Sequence, residues 1–225
     1  MKMNLMLAAL AASSTLHAYD YSVEFFSGVV ANMNEDVTYK ASDGTDIEMK
    51  DVGLSTKPFT VPYYYGLRVS IWDEDNSAWE IEHTHQKLYI DDNDLPVDSL
   101  LTHWEMTDGF NFFFVNKAWK IDEYMEGLRV RVGAGLVITH PDITYDGVRY
   151  HGNGHGAITY GGGYDLSGYV WQAGLQKVFD ITENWYISTE ARLTYAGAWA
   201  EDESGGISDL QNRAFHFNFG VGYNF

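Results

Sequence analysis

The last stretch of the chain alternates strictly between two kinds of residue. Over residues 215–225, apolar side chains occupy the odd positions, and His, Asn or Gly occupy the even ones. Successive side chains of a β-strand point to opposite faces, so this segment predicts a strand with one apolar and one polar face. About ten residues is the length that a tilted strand needs to cross a bilayer. The segment therefore predicts a membrane-crossing strand that ends on Phe225.

Seven stretches upstream repeat this alternation. They are residues 21–30, 63–72, 79–89, 103–115, 128–139, 168–178 and 185–195. Long polar loops alternate with short turns between these stretches. In outer-membrane barrels the short turns are periplasmic and the long loops are extracellular. We therefore predict an all-β fold, an eight-stranded antiparallel transmembrane β-barrel of outer-membrane type.

The beginning of the chain has the features of a secretory signal peptide. Lys2 precedes an apolar segment over residues 5–12, and the small residue Ala18 stands before a polar sequence. This order predicts a signal peptide at residues 1–18, followed by a single barrel domain at residues 19–225. Export through such a signal is consistent with a location in the outer membrane of a Gram-negative cell.

Composition narrows the class of partner. The chain has no cysteine, so neither disulfides nor thiol chemistry is available. It carries 32 acidic residues against 14 basic ones, a formal net charge of −18. Such a surface repels the phosphates of nucleic acid, which we exclude as a partner. We expect a monomer whose acidic loops are solvated.

An eight-stranded barrel encloses a lumen that side chains fill, which argues against a diffusion pore. The alternation places four acids and four arginines inside. They are Glu24, Glu80, Glu82 and Glu190, and Arg68, Arg129, Arg131 and Arg192. Each charge alone is costly in a low-dielectric interior, whereas a balanced set compensates itself. We predict a salt-bridged plug.

The third stretch carries polar residues on the face assigned to lipid. There Glu82 and Thr84 point inward, while His83, His85 and Lys87 point outward. Charged groups are costly at mid-membrane but tolerated near the interface, so His85 and Lys87 are expected at the level of the outer-leaflet head groups. A β-bulge would instead turn them inward.

Several motifs, in order along the chain, resemble those of the outer-membrane lipid A oxidases of rhizobial-type bacteria. They are PYYYGLR at 62–68, EHTHQKLY at 82–89, MTDGFN at 106–111, and GAG at 133–135 followed by His140 and Pro141. The likeness covers most of the chain after the predicted signal peptide. It implies oxygen-dependent oxidation of the proximal glucosamine of lipid A to 2-aminogluconate, with release of hydrogen peroxide. It also implies lipopolysaccharide of the outer leaflet as the partner.

Oxidation of a sugar at its anomeric carbon needs a base for the hydroxyl proton and an electron acceptor. No dinucleotide fingerprint is present to hold a flavin or a nicotinamide. A divalent or redox metal ion held by histidine and carboxylate is therefore a candidate cofactor, with O2 as the oxidant. The candidate catalytic residues are His85, His140, Glu82 and Asp108. The candidate metal ligands are His85, His140, Glu82 and His216. The candidate substrate-binding residues are Lys87, Arg68, Tyr64 and Asn111.

Two other functions fit the same fold. One is a non-enzymatic small barrel that serves adhesion or membrane integrity. The other is a lipid A deacylase or acyltransferase, which needs a hydroxyl nucleophile activated by a base. The sequence His83-Thr84-His85 lacks the serine that outer-membrane deacylases place two residues after a histidine.

Overall fold

The computed structural model describes residues 20–153 and 162–225, except for the side chain of Asp108. The predicted signal peptide at residues 1–18 lies outside the described residues and stays a prediction. Almost all of the regular structure is β. The strands are β1 (Asp20–Asn32), β2 (Glu35–Lys40), β3 (Asp46–Val52), β4 (Leu54–Ser55), β5 (Tyr65–Trp72), β6 (Ser77–Ile90), β7 (Leu101–Lys120), β8 (Leu128–Thr139), β9 (Asp142–Tyr145), β10 (Val148–His151), β11 (Asp165–Asp180), β12 (Trp185–Glu201) and β13 (Ile207–Asn224). A short 3₁₀ turn covers Asp92–Asp94.

Eight of these strands form a closed ring. Antiparallel hydrogen-bonded pairs run in the order β1, β5, β6, β7, β8, β11, β12, β13 and back to β1. Closure joins the two ends of the chain, with Val23 opposite Tyr223 and Phe25 opposite Val221. The ring confirms the predicted eight-stranded antiparallel barrel, and each of its strands contains most or all of one predicted stretch.

The extracellular half of the molecule contains more β-structure than the sequence predicted. The segments expected as long loops contain the hairpins β2–β3 and β9–β10. The first hairpin extends from β13, and the second extends from the upper end of β7. The buried residues Val37, Tyr39 and Met49 give this extension an apolar interior, which stabilises strands beyond the membrane.

The outer surface of the ring is apolar. Along β5, Leu67, Val69 and Ile71 are exposed while Arg68 and Ser70 are buried, as predicted. Aromatic side chains mark the periplasmic edge of this apolar belt, including Trp79, Trp119 and Trp185. A closed ring of strands with an apolar outer belt and an aromatic girdle is the structure of a barrel that spans the outer membrane. The protein is therefore located in the outer membrane. None of the described residues forms a helix that is long and apolar enough to span a membrane.

The lumen is filled by an ionic network. Arg68 lies at its centre, within 2.7 Å of Glu24 and 2.9 Å of both Glu82 and Glu190. Arg131 binds Glu80 at 2.9 Å and also contacts Glu190, and Arg192 pairs with Glu82. All of these side chains are almost fully buried. The network confirms the predicted plug, with Arg129 set apart beneath it against Trp72 and Tyr186.

Above the ionic network the interior of the barrel becomes apolar. Phe110, Phe112 and Phe114 of β7 point inward and are at most 1% exposed. They stack edge to face in succession, with ring centroids 5.2 and 5.7 Å apart. Because these phenylalanines take the inward positions of β7, Asn111 and Phe113 are turned to the outer surface.

Candidate functional site

The strand β6 divides its polar residues between the two faces of the barrel wall. Glu82 and Thr84 point into the lumen, where Thr84 donates a hydrogen bond to Glu82 at 3.0 Å. His83 and His85 point to the outer face, as the alternation predicts. A bulge is present in this pair of strands, but it lies higher, between Gln86 and Leu88. It therefore leaves the outward direction of both histidines unchanged.

The two histidines meet one amide on the neighbouring strand. His85 Nδ1 lies 2.8 Å from Asn111 Oδ1, and His83 Nε2 lies 3.3 Å from the same oxygen. The oxygen can only accept, so both ring nitrogens act as donors toward it. A neutral His85 therefore carries its proton on Nδ1, and its Nε2 is the basic nitrogen.

A glycine makes this arrangement sterically feasible. A Cβ atom added to Gly109 would lie only 1.9 Å from Asn111 Nδ2, much closer than atoms can approach. Gly109 also accepts a hydrogen bond from the backbone N–H of His140 at 3.0 Å. The segment of β7 around Gly109 thus contacts the Asn111 amide on one side and the backbone of His140, at the start of the next extracellular loop, on the other.

The loop at residues 56–64 folds over the outer face of β6. Lys87 Nζ donates to the carbonyl oxygen of Thr60 at 2.7 Å, and the loop closes on itself through a bond from Tyr64 N to Pro58 O at 3.0 Å. This cover explains why His85 and Lys87 are only 5% and 1% exposed although they point away from the lumen. Together, the loop and the wall form a groove.

The groove has a volume of about 430 Å³. It is lined by Pro62, Tyr65, His83, His85, Asn111, Phe113, Ile138 and Tyr164. Apolar and aromatic groups form most of its surface, and the polar atoms concentrate at the two histidines and the amide. Such a site suits a ligand that combines apolar surface with a few polar groups.

His140 borders the same groove from the other side. Its ring lies 5.0 Å from that of Tyr164, and Tyr164 lines the groove together with His85. Its ring also lies 6.0 Å from that of His151, at the end of β10. The structure thus brings His85, Asn111 and His140 to one region, while the side chain of Asp108 lies outside the described part.

Four of the predicted site residues are elsewhere. Glu82 and Arg68 belong to the ionic network and are at most 1% exposed. Tyr64 and His216 are also in the lumen, with Tyr64 Oη 3.0 Å from His216 Nδ1. The barrel wall separates these four side chains from the groove, so the expectation that they join His85 around one substrate was wrong. Residues of opposite parity on β6 cannot face the same side.

This separation also bears on the predicted metal ligands. His85 and His140 are at the groove, whereas Glu82 and His216 are in the lumen, so the four cannot hold one ion. Among the described side chains there is no group of three or more histidines and carboxylates arranged to hold a metal. The predicted set does not fit a metal centre.

The sequence analysis missed several residues of the groove. Tyr65 and Phe113 share the outward parity of Leu67 and Val115, so the alternation contains a signal for them. Pro62 and Tyr164 come from loops, and their contribution depends on tertiary contacts that no local pattern indicates. Lys87, predicted to bind substrate, lies on the same outer face beneath the covering loop.

The closed ring, the apolar belt and the filled lumen define a small outer-membrane β-barrel. No protein-family model matches the chain, and no curated protein matches it. Solved structures similar to it include Neisserial surface protein A, at 11% identity over 93% of this chain and 98% of that one, with a TM-score of 0.43. Ail, the attachment invasion locus protein of Yersinia pestis, is 12% identical over 93% and 100% of the two chains, with a TM-score of 0.45. The outer membrane protein OprG from Pseudomonas aeruginosa is 9% identical over 92% and 96%, with a TM-score of 0.44.

Proposed function

We propose that this barrel is an enzyme of the outer leaflet that oxidises the proximal glucosamine of lipid A to 2-aminogluconate. The oxidant is O2 and the coproduct is hydrogen peroxide. The observation that carries the proposal is the direction of the groove. Its histidine pair lies on the outer face of the barrel, the face of the exposed Leu67 and Val69, and not in the lumen. A lipid substrate reaches such a site by lateral diffusion, without leaving the bilayer.

His85 is the general base of the proposed reaction. Asn111 fixes its tautomer, so that Nε2 accepts the proton of the anomeric hydroxyl. The anomeric carbon loses its hydrogen and two electrons, which yields the lactone. O2 takes up the two electrons and two protons and leaves as hydrogen peroxide, and water then opens the lactone to the acid. His140 and Tyr164 border the position of the sugar.

Ground-state O2 reacts slowly with a closed-shell sugar, so the proposal includes a redox group. Such a group would provide electron transfer between sugar and O2, and the described histidines and carboxylates do not form a centre that would hold it as a metal. The chain's own part is to bind the lipid, orient the anomeric carbon and remove the proton. Measuring the activity without O2 tests the oxidant, and measuring it after treatment with a chelator tests whether the redox group is a metal.

The groove offers little support for a deacylase or acyltransferase. Such an enzyme needs a hydroxyl nucleophile beside its base. Thr84, which lies between the two histidines in sequence, points into the lumen. The hydroxyl groups lining the groove are those of Tyr65 and Tyr164. A non-enzymatic barrel makes no use of a histidine pair held by one amide.

Mass spectrometry of lipid A incubated in air with the purified barrel tests the proposal. Oxidised lipid A gains the mass of one oxygen atom, and peroxide appears in equal amount. His85→Gln is expected to reduce the rate by about 10²–10⁴-fold, because it removes the base. His103→Gln, which alters a histidine paired with Asp92 on the extracellular side, is the matched control and should retain the rate.

Other outcomes separate the alternatives. Loss of a fatty acyl chain would identify a deacylase, and unchanged lipid A under all conditions would support a non-enzymatic barrel. Oxidation that is equally fast in His85→Gln would refute the assigned base.

A further inference from the structure

Two lysines share one aromatic ring beside the groove. Lys57 Nζ lies 3.9 Å from the centroid of the Tyr89 ring, and Lys87 Nζ lies 5.4 Å from the same centroid. Lys57 follows the short strand β4, which pairs with the upper end of β6 at Ser55 and Tyr89. The fold thus brings two positive charges close together, and their mutual repulsion makes it less favourable for either lysine to be charged.

Among the described residues, neither of these ammonium groups has a carboxylate within salt-bridge distance. By contrast, the extracellular cations Lys50 and Arg213 are paired, with Glu48 and Glu35 respectively. Within the described part of the chain no carboxylate neutralises the charge of the lysine pair. The exposed Lys57 presents this charge to an anion from outside the protein, and Lys87 lies behind it at 1% exposure.

The loop that covers Lys87 is also apolar on its outer side. Phe59, Val61 and Tyr63 are 74%, 70% and 57% exposed. These alternate residues lie next to Pro62, which lines the groove, and above the exposed end of the apolar belt. Exposed apolar groups beside unpaired cations are the features of a segment that inserts into the interface of a membrane with anionic lipid.

We propose that Lys57, Lys87 and the loop at residues 57–64 bind one anionic glycolipid of the outer leaflet. Its phosphate lies at the exposed Lys57 ammonium with the charge of Lys87 behind it, and an acyl chain lies against Phe59 and Val61. Lys87 stands two residues above His85 on the same face, about 7 Å along the strand. One lipid can therefore reach both the lysines and the histidine.

This inference rests on the proposed function for the identity of the phosphate. An anomeric phosphate would replace the hydroxyl that the reaction oxidises. The phosphate held by the lysines is therefore the one on the distal sugar. Monophosphoryl lipid A that retains this phosphate is accordingly the probe, and phosphate-free lipid A is its reference.

Native mass spectrometry of the full barrel, titrated with each lipid, measures the binding. The wild type should bind the monophosphoryl lipid more tightly, and the preference should fall as salt is raised. Lys57→Gln/Lys87→Gln should lose on the order of tenfold in affinity for that lipid, since charge-assisted contacts are lost. Lys40→Gln/Lys50→Gln makes the same change of charge on other extracellular strands and should leave the affinity unchanged.

Equal binding of the two lipids by the wild type would overturn the inference, and this measurement does not depend on whether the variants fold. Salt-independent binding, or inorganic phosphate bound as tightly as the lipid, would overturn it too. Because binding is measured, the outcome is distinct from that of the proposed oxidation. Lysine-dependent binding without oxidation would refute only the enzyme, and oxidation with lysine-independent binding would refute only this site.

Discussion

The Nδ1 nitrogen of His85 lies 2.8 Å from the Oδ1 oxygen of Asn111, directly across the pairing of β6 and β7 on the outer face of the barrel. Because Asn111 also meets His83, a single amide orients both rings. The bond requires the inward direction of Phe110 and Phe112, which turns the residue between them outward. The apolar interior of the upper barrel thus positions a polar group on its surface.

Replacing this amide should impair the proposed reaction more than lipid binding. In Asn111→Ala, His85 loses the acceptor that fixes its tautomer, and we expect a fall in kcat of about 10–100-fold with little change in KM. The loss should lie in kcat because the amide acts through the orientation of His85 and not through contact with the lipid. Asn34→Ala, at an exposed extracellular amide, is the control. An unchanged kcat would contradict the positioning role.

The close approach of Gly109 to Asn111 gives a second test of the same arrangement. In Gly109→Ala, the added methyl group would meet Asn111 Nδ2 at 1.9 Å, so the amide must leave the position in which it accepts from His85. We expect a loss of kcat similar to that of Asn111→Ala. Gly53→Ala is the matched control, because its added Cβ would have ordinary contacts at 3.9 Å. A fully active Gly109→Ala variant would show that the amide position is not required.

The sequence predicted the wall of the barrel well, because each membrane-crossing strand must show hydrocarbon on one face and a cramped polar interior on the other. The direction of Leu67, Arg68 and Glu82 followed from this parity. The hairpins β2–β3 and β9–β10 were missed. Their alternation, as at Val37 and Tyr39, is short and lies among polar residues, so it looked like loop sequence.

The candidate site was predicted only in part. His85, His140, Asn111 and Lys87 do lie together on the outer side. Glu82 was grouped with His85 although their positions differ by an odd number, which puts them on opposite faces of one strand. The covering loop could not be predicted, since its position depends on contacts such as that between Lys87 and Thr60, which are distant in sequence.

Replacing a buried arginine of the ionic network should destabilise the protein much more than replacing a half-exposed arginine outside it. Arg68 is surrounded by carboxylates of Glu24, Glu82 and Glu190, so Arg68→Met leaves buried charges without compensation. We expect the free energy of unfolding to fall by about 3–5 kcal/mol. Arg213→Met removes a half-exposed partner of Glu35 and should cost at most about 1 kcal/mol. Denaturant unfolding in detergent micelles, followed by circular dichroism, measures both; similar losses would refute the network's role in stability.

The extracellular hairpin β9–β10 should lose stability in acid. Burial raises the pKa of Asp142, but the hydrogen bonds and charge of Arg149 outweigh it, so the pKa lies below its ordinary value. Arg149 Nε donates to Asp142 Oδ1 at 2.6 Å, within the hairpin. A lowered folded-state pKa contributes stability above the ordinary carboxyl value of about 4, and this contribution is lost as the pH falls through the folded value.

Hydrogen exchange of the hairpin amides, expressed as protection factors, measures this loss. Because Arg149 is more than half exposed, we expect a change of about 1 kcal/mol or less in the free energy of local opening. Asp142→Asn should open more readily at neutral pH and should show no further change on acidification. Asp146→Asn alters a turn residue whose positive φ asparagine also adopts, and it should retain the wild-type pH dependence. If Asp142→Asn also retained the wild-type pH dependence, the carboxyl group that titrates would be a different one.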